Sequence, residues 1–258
     1  MQKVTISRGS TMTAYPAAPS TKPVRAVIVC PGGGYGGISA REGAPVAEAL
    51  NRQGIAAFVL DYPVAPNAHY PQQVFDLATA VKYLRSHATI YNINPKKITV
   101  MGFSAGGHLA ATLATQWQYD YLYEFMKGDP AEYKPDSVVL CYPVITGGAY
   151  AHRGSFENLL GGDMSKLEIV SLERCVSIDC PPVFIWHTVD DTVVPVENSL
   201  LFISALRKKN RSFEAHIYPK GEHGLSLSTP AMADGRKELN NKHVASWFNL
   251  AVRWIKSL

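Results

Sequence analysis

Ile98-Thr99-Val100-Met101-Gly102-Phe103-Ser104-Ala105-Gly106-Gly107-His108 runs from a β-branched stretch through a glycine-flanked serine into an Ala/Leu-rich helix. Strand, sharp turn and helix in that order form one half of a crossover in a parallel sheet. Within it, Gly102-Phe103-Ser104-Ala105-Gly106 has the form G-x-S-x-G, which holds a serine hydroxyl at the exposed tip of a strained turn. Side chains at the two glycines would collide with the strand and the helix. The helix continues through Leu109, Ala111, Leu113 and Ala114, and its positive end points to where negative charge develops as the hydroxyl attacks a carbonyl. Ser104 is therefore a candidate nucleophile. The same five residues also fit an ordinary serine in a Gly-rich turn, so its partners must be sought elsewhere in the chain.

Apolar runs that predict strands lie on both sides: Val24–Cys30, Ala56–Tyr62, Ile98–Phe103, Ser137–Tyr142, Val183–His187 and Phe213–Tyr218. Most are continuous rather than alternating, as expected of strands covered on both faces. Residues 3–15 allow one or two antiparallel edge strands. Between the runs, Val74, Leu77, Ala78, Val81 and Leu84 recur at the helical period, as do Val244, Trp247, Phe248, Ala251, Trp254, Ile255 and Leu258 near the end. Both stripes predict core-facing helices. The expected class is α/β, a mostly parallel central sheet with helices on both faces, in one domain over residues 1–258. The looser stretches 116–136 and 146–180 are expected as cap-like insertions over one end of the sheet.

At 258 residues, 47% hydrophobic and 18% charged, the chain can bury a large core and excludes disorder. No apolar run approaches the roughly 20 residues of a membrane span. Met1-Gln2-Lys3-Val4-Thr5 lacks the apolar centre of a leader peptide, which makes a cytoplasmic location the default expectation; a leader already removed would leave the same picture. The net charge of +4 is small, and its one basic cluster, Arg207, Lys208, Lys209 and Arg211, suits the end of a helix better than a nucleic-acid surface. Cys30 and Cys141 sit in strand-like runs, and Cys175 and Cys180 have no metal-ligand partner nearby, so buried free thiols are expected and a Cys175–Cys180 disulfide is the alternative. No histidine pair has metal-ligand spacing with a carboxylate; neither a metal nor another cofactor is expected.

Directly after the first strong strand comes Pro31-Gly32-Gly33-Gly34-Tyr35-Gly36-Gly37. Acyl transfer to a serine passes through a tetrahedral oxyanion that needs backbone N–H donors from more than one segment. Consecutive glycines let the main chain come close to a substrate, so the amides of Gly33, Gly34 and Ala105 are the candidate donors, and Tyr35 is a candidate wall of the acyl or alcohol pocket. Two other readings stay open for this loop. It could cradle a dinucleotide phosphate, with Asp61 near the ribose, or it could be a linker. The first leaves later motifs unexplained, and Pro31 and Tyr35 are not linker residues.

In this chemistry an acid and then a histidine follow the serine, each on a loop beyond a later strand. Val183–His187 exits into Thr188-Val189-Asp190-Asp191-Thr192-Val193-Val194-Pro195, where either carboxylate could hold an imidazole. Phe213–Tyr218 exits into Pro219-Lys220-Gly221-Glu222-His223-Gly224-Leu225, which puts a histidine beside glycines on a mobile loop. His223 is the candidate general base. Asp191 is preferred over Asp190 as the acid because it begins a D-x-x-V-P turn. His108, His187, His69, His87, His152, His216 and His243 read as structural or exposed.

With these residues in place the chain resembles the esterase branch of the α/β-hydrolase superfamily, in particular bacterial carbohydrate esterases and acetyl xylan esterase-like sugar hydrolases. The carriers are Pro31-Gly32-Gly33-Gly34-Tyr35, Asp61-Tyr62-Pro63-Val64-Ala65-Pro66, Gly102-Phe103-Ser104-Ala105-Gly106-Gly107-His108, His187 to Pro195 and Gly221-Glu222-His223-Gly224. The resemblance implies an α/β-hydrolase fold and hydrolysis of short acyl esters, acetyl esters of carbohydrates above all, by Ser104, His223 and Asp191. Lipase-like relatives carry histidine where this chain has Pro31, and arginine where it has Pro63; both departures point away from long-chain lipids. The implied partner is a small-molecule ester rather than nucleic acid or membrane, and self-association is left open. The rivals are a peptidase of the prolyl-oligopeptidase kind and a catalytically silent binding protein.

Overall fold

The computed structural model describes residues 2–233 and 235–258. Its strands are β1 (Gln2–Ser7), β2 (Ser10–Tyr15), β3 (Val24–Cys30), β4 (Ala56–Asp61), β5 (Ile93–Phe103), β6 (Ser137–Cys141), β7 (Val183–Thr188) and β8 (Phe213–Tyr218). Its helices are α1 (Ala44–Arg52), α2 (Gln72–Ser86), α3 (Ala105–Gln116), α4 (Asp120–Met126), α5 (Arg153–Leu160), α6 (Glu197–Lys208), α7 (Pro230–Ala233) and α8 (Ser246–Ser257). The strands form one sheet in the order β1-β2-β4-β3-β5-β6-β7-β8. Only the β1–β2 and β2–β4 pairs are antiparallel; every other pair is parallel. This is the mostly parallel α/β sheet expected, with both residues-3–15 edge strands present. β5 begins at Ile93 rather than Ile98, because Pro95-Lys96-Lys97 interrupts the apolar run while the backbone remains extended.

The continuous apolar runs divide by alternation. Ala26, Ile28 and Cys30 face one core cluster while Val27 and Val29 face the other, and β6 and β7 split the same way. Helices α2, α3 and α6 cover the first face, with Val74, Leu77, Val81 and Leu84 buried; α1 and α8 cover the second, through Trp247, Ala251 and Ile255. Leu258 leaves this stripe and is exposed, one residue beyond the end of α8. The basic cluster falls at the C-terminal end of α6, where Arg207 and Lys208 occupy the last turn. All four cysteines are buried free thiols.

Parallel strands end on a common edge, so loops distant in sequence become neighbours there. The exits of β3, β5, β7 and β8 carry the Gly33–Gly34 loop, Ser104, Asp191 and His223 to that edge. The two stretches expected as insertions leave the sheet from different elements. Helix α3 starts just after Ser104 and runs back along the sheet; the segment after it packs Gln116 against Tyr70 and Ile169 and Tyr121 against Phe75, and ends where the Asp136 amide bonds the Ile98 carbonyl just before β6 begins. Residues 146–180 leave the far end of β6 and pack against the glycine loop through Asn158, which donates to the Gly34 carbonyl.

Candidate active site

Ser104 sits between β5 and α3 with φ +52° and ψ −118°, a strained backbone for a residue with a side chain. Three main-chain bonds hold it there: its amide donates to the Cys141 carbonyl at 3.0 Å, and its carbonyl accepts from the His108 and Val144 amides, both at 3.1 Å. The turn is closed by glycine. A Cβ on Gly102 would overlap the Gly106 carbonyl, and one on Gly106 would overlap the carbonyls of Cys30 and Pro31. Ser104 is only 8% exposed, with its hydroxyl turned to the one histidine that reaches it.

The Ser104 hydroxyl donates to His223 Nε2 at 2.9 Å, and His223 Nδ1 donates to Asp191 Oδ2 at 2.6 Å. These two bonds fix the tautomer, with the imidazole proton on Nδ1 and an open lone pair towards the serine. Asp191 is anchored independently, since its Oδ1 accepts from the Val193 and Val194 amides at 3.0 and 2.9 Å. His187 Nε2 lies 3.3 Å from Oδ2 while donating to the Val194 carbonyl at 2.9 Å. Burial would raise the Asp191 carboxyl; hydrogen bonds from His187 and His223, the His223 charge and the Val194 amide outweigh it and hold the carboxyl well below the usual carboxylate range. Asp190 faces away: its Oδ1 accepts from the Gly221 amide at 2.6 Å, and its side chain is partly exposed beside Lys220.

Three side-chain bonds anchor the His223 loop. Thr188 Oγ1 donates to the Gly221 carbonyl, Arg41 to the Gly224 carbonyl, and Trp247 Nε1 to the Ser226 carbonyl.

Opposite the histidine, Gly33 (φ +132°), Gly34 (φ +63°) and Tyr35 (φ +57°) reverse the chain. The loop lies hard against the serine, for a Cβ on Gly32 would stand 2.9 Å from Ser104 Cβ. Among the described residues the amides of Gly33, Gly34 and Ala105 donate to no acceptor, whereas the Gly32 amide is taken by Glu42 Oε2 at 2.7 Å. Such free donors beside a hydroxyl suit an oxyanion. Tyr35 does not form the pocket wall expected of it. The three positive φ values send its ring into the core, 1% exposed, edge-on to Tyr62 and His108, with its hydroxyl donating to His108 Nδ1 at 2.9 Å. His108 Nε2 in turn donates to the Val170 carbonyl, and burial pushes this imidazole down to about 4, so it stays neutral. Tyr35 therefore braces the loop through α3.

Two contributors escaped the sequence. Glu42 is 4% exposed and bridges the Gly32 amide to the Tyr142 hydroxyl, which donates to Oε1 at 2.7 Å and accepts from the Ser226 amide at 2.9 Å. This chain of bonds couples the glycine loop to the histidine loop, and the Tyr142 ring packs edge-on to His223. His152, expected to be structural or exposed, stands half-buried over the glycine loop at the start of α5. No group of three or more His, Cys, Asp or Glu suited to a metal occurs among the described residues.

Comparison with known proteins gives the family. Residues 12–206, well over half of the chain, match the model of the BD-FAE family. The chain is 40% identical over 219 residues to endo-1,4-beta-xylanase B of Butyrivibrio fibrisolvens, covering 81% of this chain and 34% of that protein. It is 35% identical over 213 residues to an acetylxylan esterase of Xylanibacter ruminicola, covering 80% and 42%. The chain thus spans less than half the length of either relative. Among solved structures, an acetyl ester-xyloside bifunctional hydrolase from Caldicellulosiruptor lactoaceticus superposes with a TM-score of 0.81 at 39% identity, covering 96% of this chain and 88% of that one. The chain belongs to the BD-FAE family and has the α/β-hydrolase fold.

Proposed function

We propose that the protein is a serine carboxylesterase that removes short acyl groups, acetyl above all, from carbohydrate esters. The observation that carries this reading is the continuous line from Ser104 Oγ through His223 to Asp191, at 2.9 and 2.6 Å, beside amides with no internal acceptor. His223 Nε2 takes the proton of Ser104 as Oγ attacks the ester carbonyl. The oxyanion is met by the amides of Gly33, Gly34 and Ala105. Protonated His223, stabilised by Asp191, hands its proton to the leaving alcohol; water then repeats the sequence on the acyl-serine and frees the acid. The similarity to an acetylxylan esterase and to an acetyl ester-xyloside hydrolase supports an ester of xylan as the substrate class. Residues 1–258 act as one domain in this account, with residues 146–180 forming the substrate-facing cover. No helix among the described residues is long and apolar enough to cross a membrane, and the substrate is a small or oligomeric ester.

The test is a panel of acetylated xylo-oligosaccharides, p-nitrophenyl esters of increasing chain length, a feruloyl ester and a dipeptide. Acetyl esters are expected to give the highest kcat/KM, with the value falling as the acyl chain lengthens. Cleavage of the dipeptide in preference to every ester, or turnover of none of them, contradicts the proposal.

A further inference from the structure

Helix α5 is docked on the glycine loop. Asn158 Nδ2 donates to the Gly34 carbonyl at 2.9 Å, and the same nitrogen lies 2.8 Å from where a Cβ on Gly36 would be. The position that a Cβ on Gly34 would take is 3.7 Å from Ser155 Oγ and 4.0 Å from His152 Cε1. The start of α5 therefore packs against Gly34, whose amide is one of the candidate oxyanion donors.

His152 Nδ1 and Ser155 Oγ are 2.7 Å apart. Ser155 is 1% exposed, and among the described residues Nδ1 is the partner of its hydroxyl. The Ser155 hydroxyl has no other acceptor among the described residues, so we assign Nδ1 as its acceptor, which puts the ring proton on Nε2. Nε2 bonds to nothing among the described residues. Burial lowers the His152 pKa, the His223 charge lowers it further and Asp191 opposes them. A neutral ring in this tautomer is an N–H donor, not a second base. The ring edge at Cε1 stands 4.0 Å from where a Cβ on Gly34 would be, on the loop that carries two of the candidate oxyanion donors. An apolar acyl chain has no use for a donor there, whereas a sugar alcohol carries hydroxyl oxygens beside the scissile ester.

Resting on the esterase reading above, we propose that His152 Nε2–H is a positioning donor to a hydroxyl oxygen of the sugar alcohol, so that His152 selects carbohydrate esters over simple aryl esters. A site built to hydrogen-bond a substrate group discriminates strongly against substrates that lack it, because its own donor is then left unpaired.

The experiment compares kcat/KM for acetylated xylobiose and p-nitrophenyl acetate in wild type, His152→Ala and His152→Gln, each normalised by active-site titration with a fluorophosphonate. His152→Ala is expected to lose roughly 10- to 100-fold on the sugar ester, with the sugar-to-aryl ratio falling by at least roughly tenfold. Glutamine, which can place an N–H near the Nε2 position, is expected to restore most of that ratio. Parallel losses on both substrates, an unchanged sugar ester, or no rescue by glutamine overturn the proposal. A wild type that turns over the aryl ester but not acetylated xylobiose overturns the sugar assignment while leaving the esterase reading standing. A wild type that titrates with no fluorophosphonate and cleaves neither substrate overturns both.

Discussion

Asp191→Asn is expected to lower kcat on p-nitrophenyl acetate by about ten-thousandfold, while Asp190→Asn costs less than about tenfold. The difference follows from which atoms each carboxylate serves. In Asp191, Oδ1 is claimed by the Val193 and Val194 amides, so an asparagine keeps its oxygen there and turns its NH₂ towards His223. His223 Nδ1 must then accept, the ring proton moves to Nε2, and the lone pair that would take the Ser104 proton disappears. In Asp190 the one strong contact is acceptance from the Gly221 amide, which an asparagine oxygen makes equally well. The check is steady-state kinetics of the two variants side by side, with folding verified by thermal melts. Comparable losses in both, or the larger loss in Asp190→Asn, would show that the wrong carboxylate has been named.

Gly106→Ala is expected to destabilise the protein by roughly 3 kcal/mol or more, enough to compromise the folded state of an ordinary domain. The new Cβ would overlap the carbonyl oxygens of Cys30 and Pro31, which are main-chain atoms at the end of a central strand and cannot rotate aside. Relief requires α3 to lift off β3, and Ser104 rides on the first turn of α3. Gly37→Ala is the matched control: its Cβ would meet nothing within 4 Å, so a change below about 1 kcal/mol is expected. Urea unfolding of the pair decides the matter, and equal midpoints would refute the packing argument.

The sheet and the local motifs were legible in the sequence because their causes are local. A β-branched run, a glycine on each side of Ser104 and a D-x-x-V-P turn each describe a few consecutive residues, and the parallel topology then brings their ends together without further instruction. What was not legible acts through space. Glu42 lies in an unremarkable Ala-Arg-Glu-Gly stretch, and its importance comes from Gly32 and from Tyr142, a hundred positions away. Tyr35 is beside the glycine loop in sequence, but three successive positive φ values carry its ring away from the cleft. His152 gains its place only because residues 146–180 fold back over Gly34, and no periodicity in that stretch announces it.

The central claim is that Ser104 is a nucleophile activated by His223. Its most direct test is to react the protein with a fluorophosphonate and map the adduct by peptide mass spectrometry while following p-nitrophenyl acetate hydrolysis. A single adduct on Ser104, activity lost in proportion to labelling, and a Ser104→Ala variant that neither labels nor hydrolyses is the predicted result. An adduct on another residue, or hydrolysis that persists at the wild-type rate in Ser104→Ala, would contradict it.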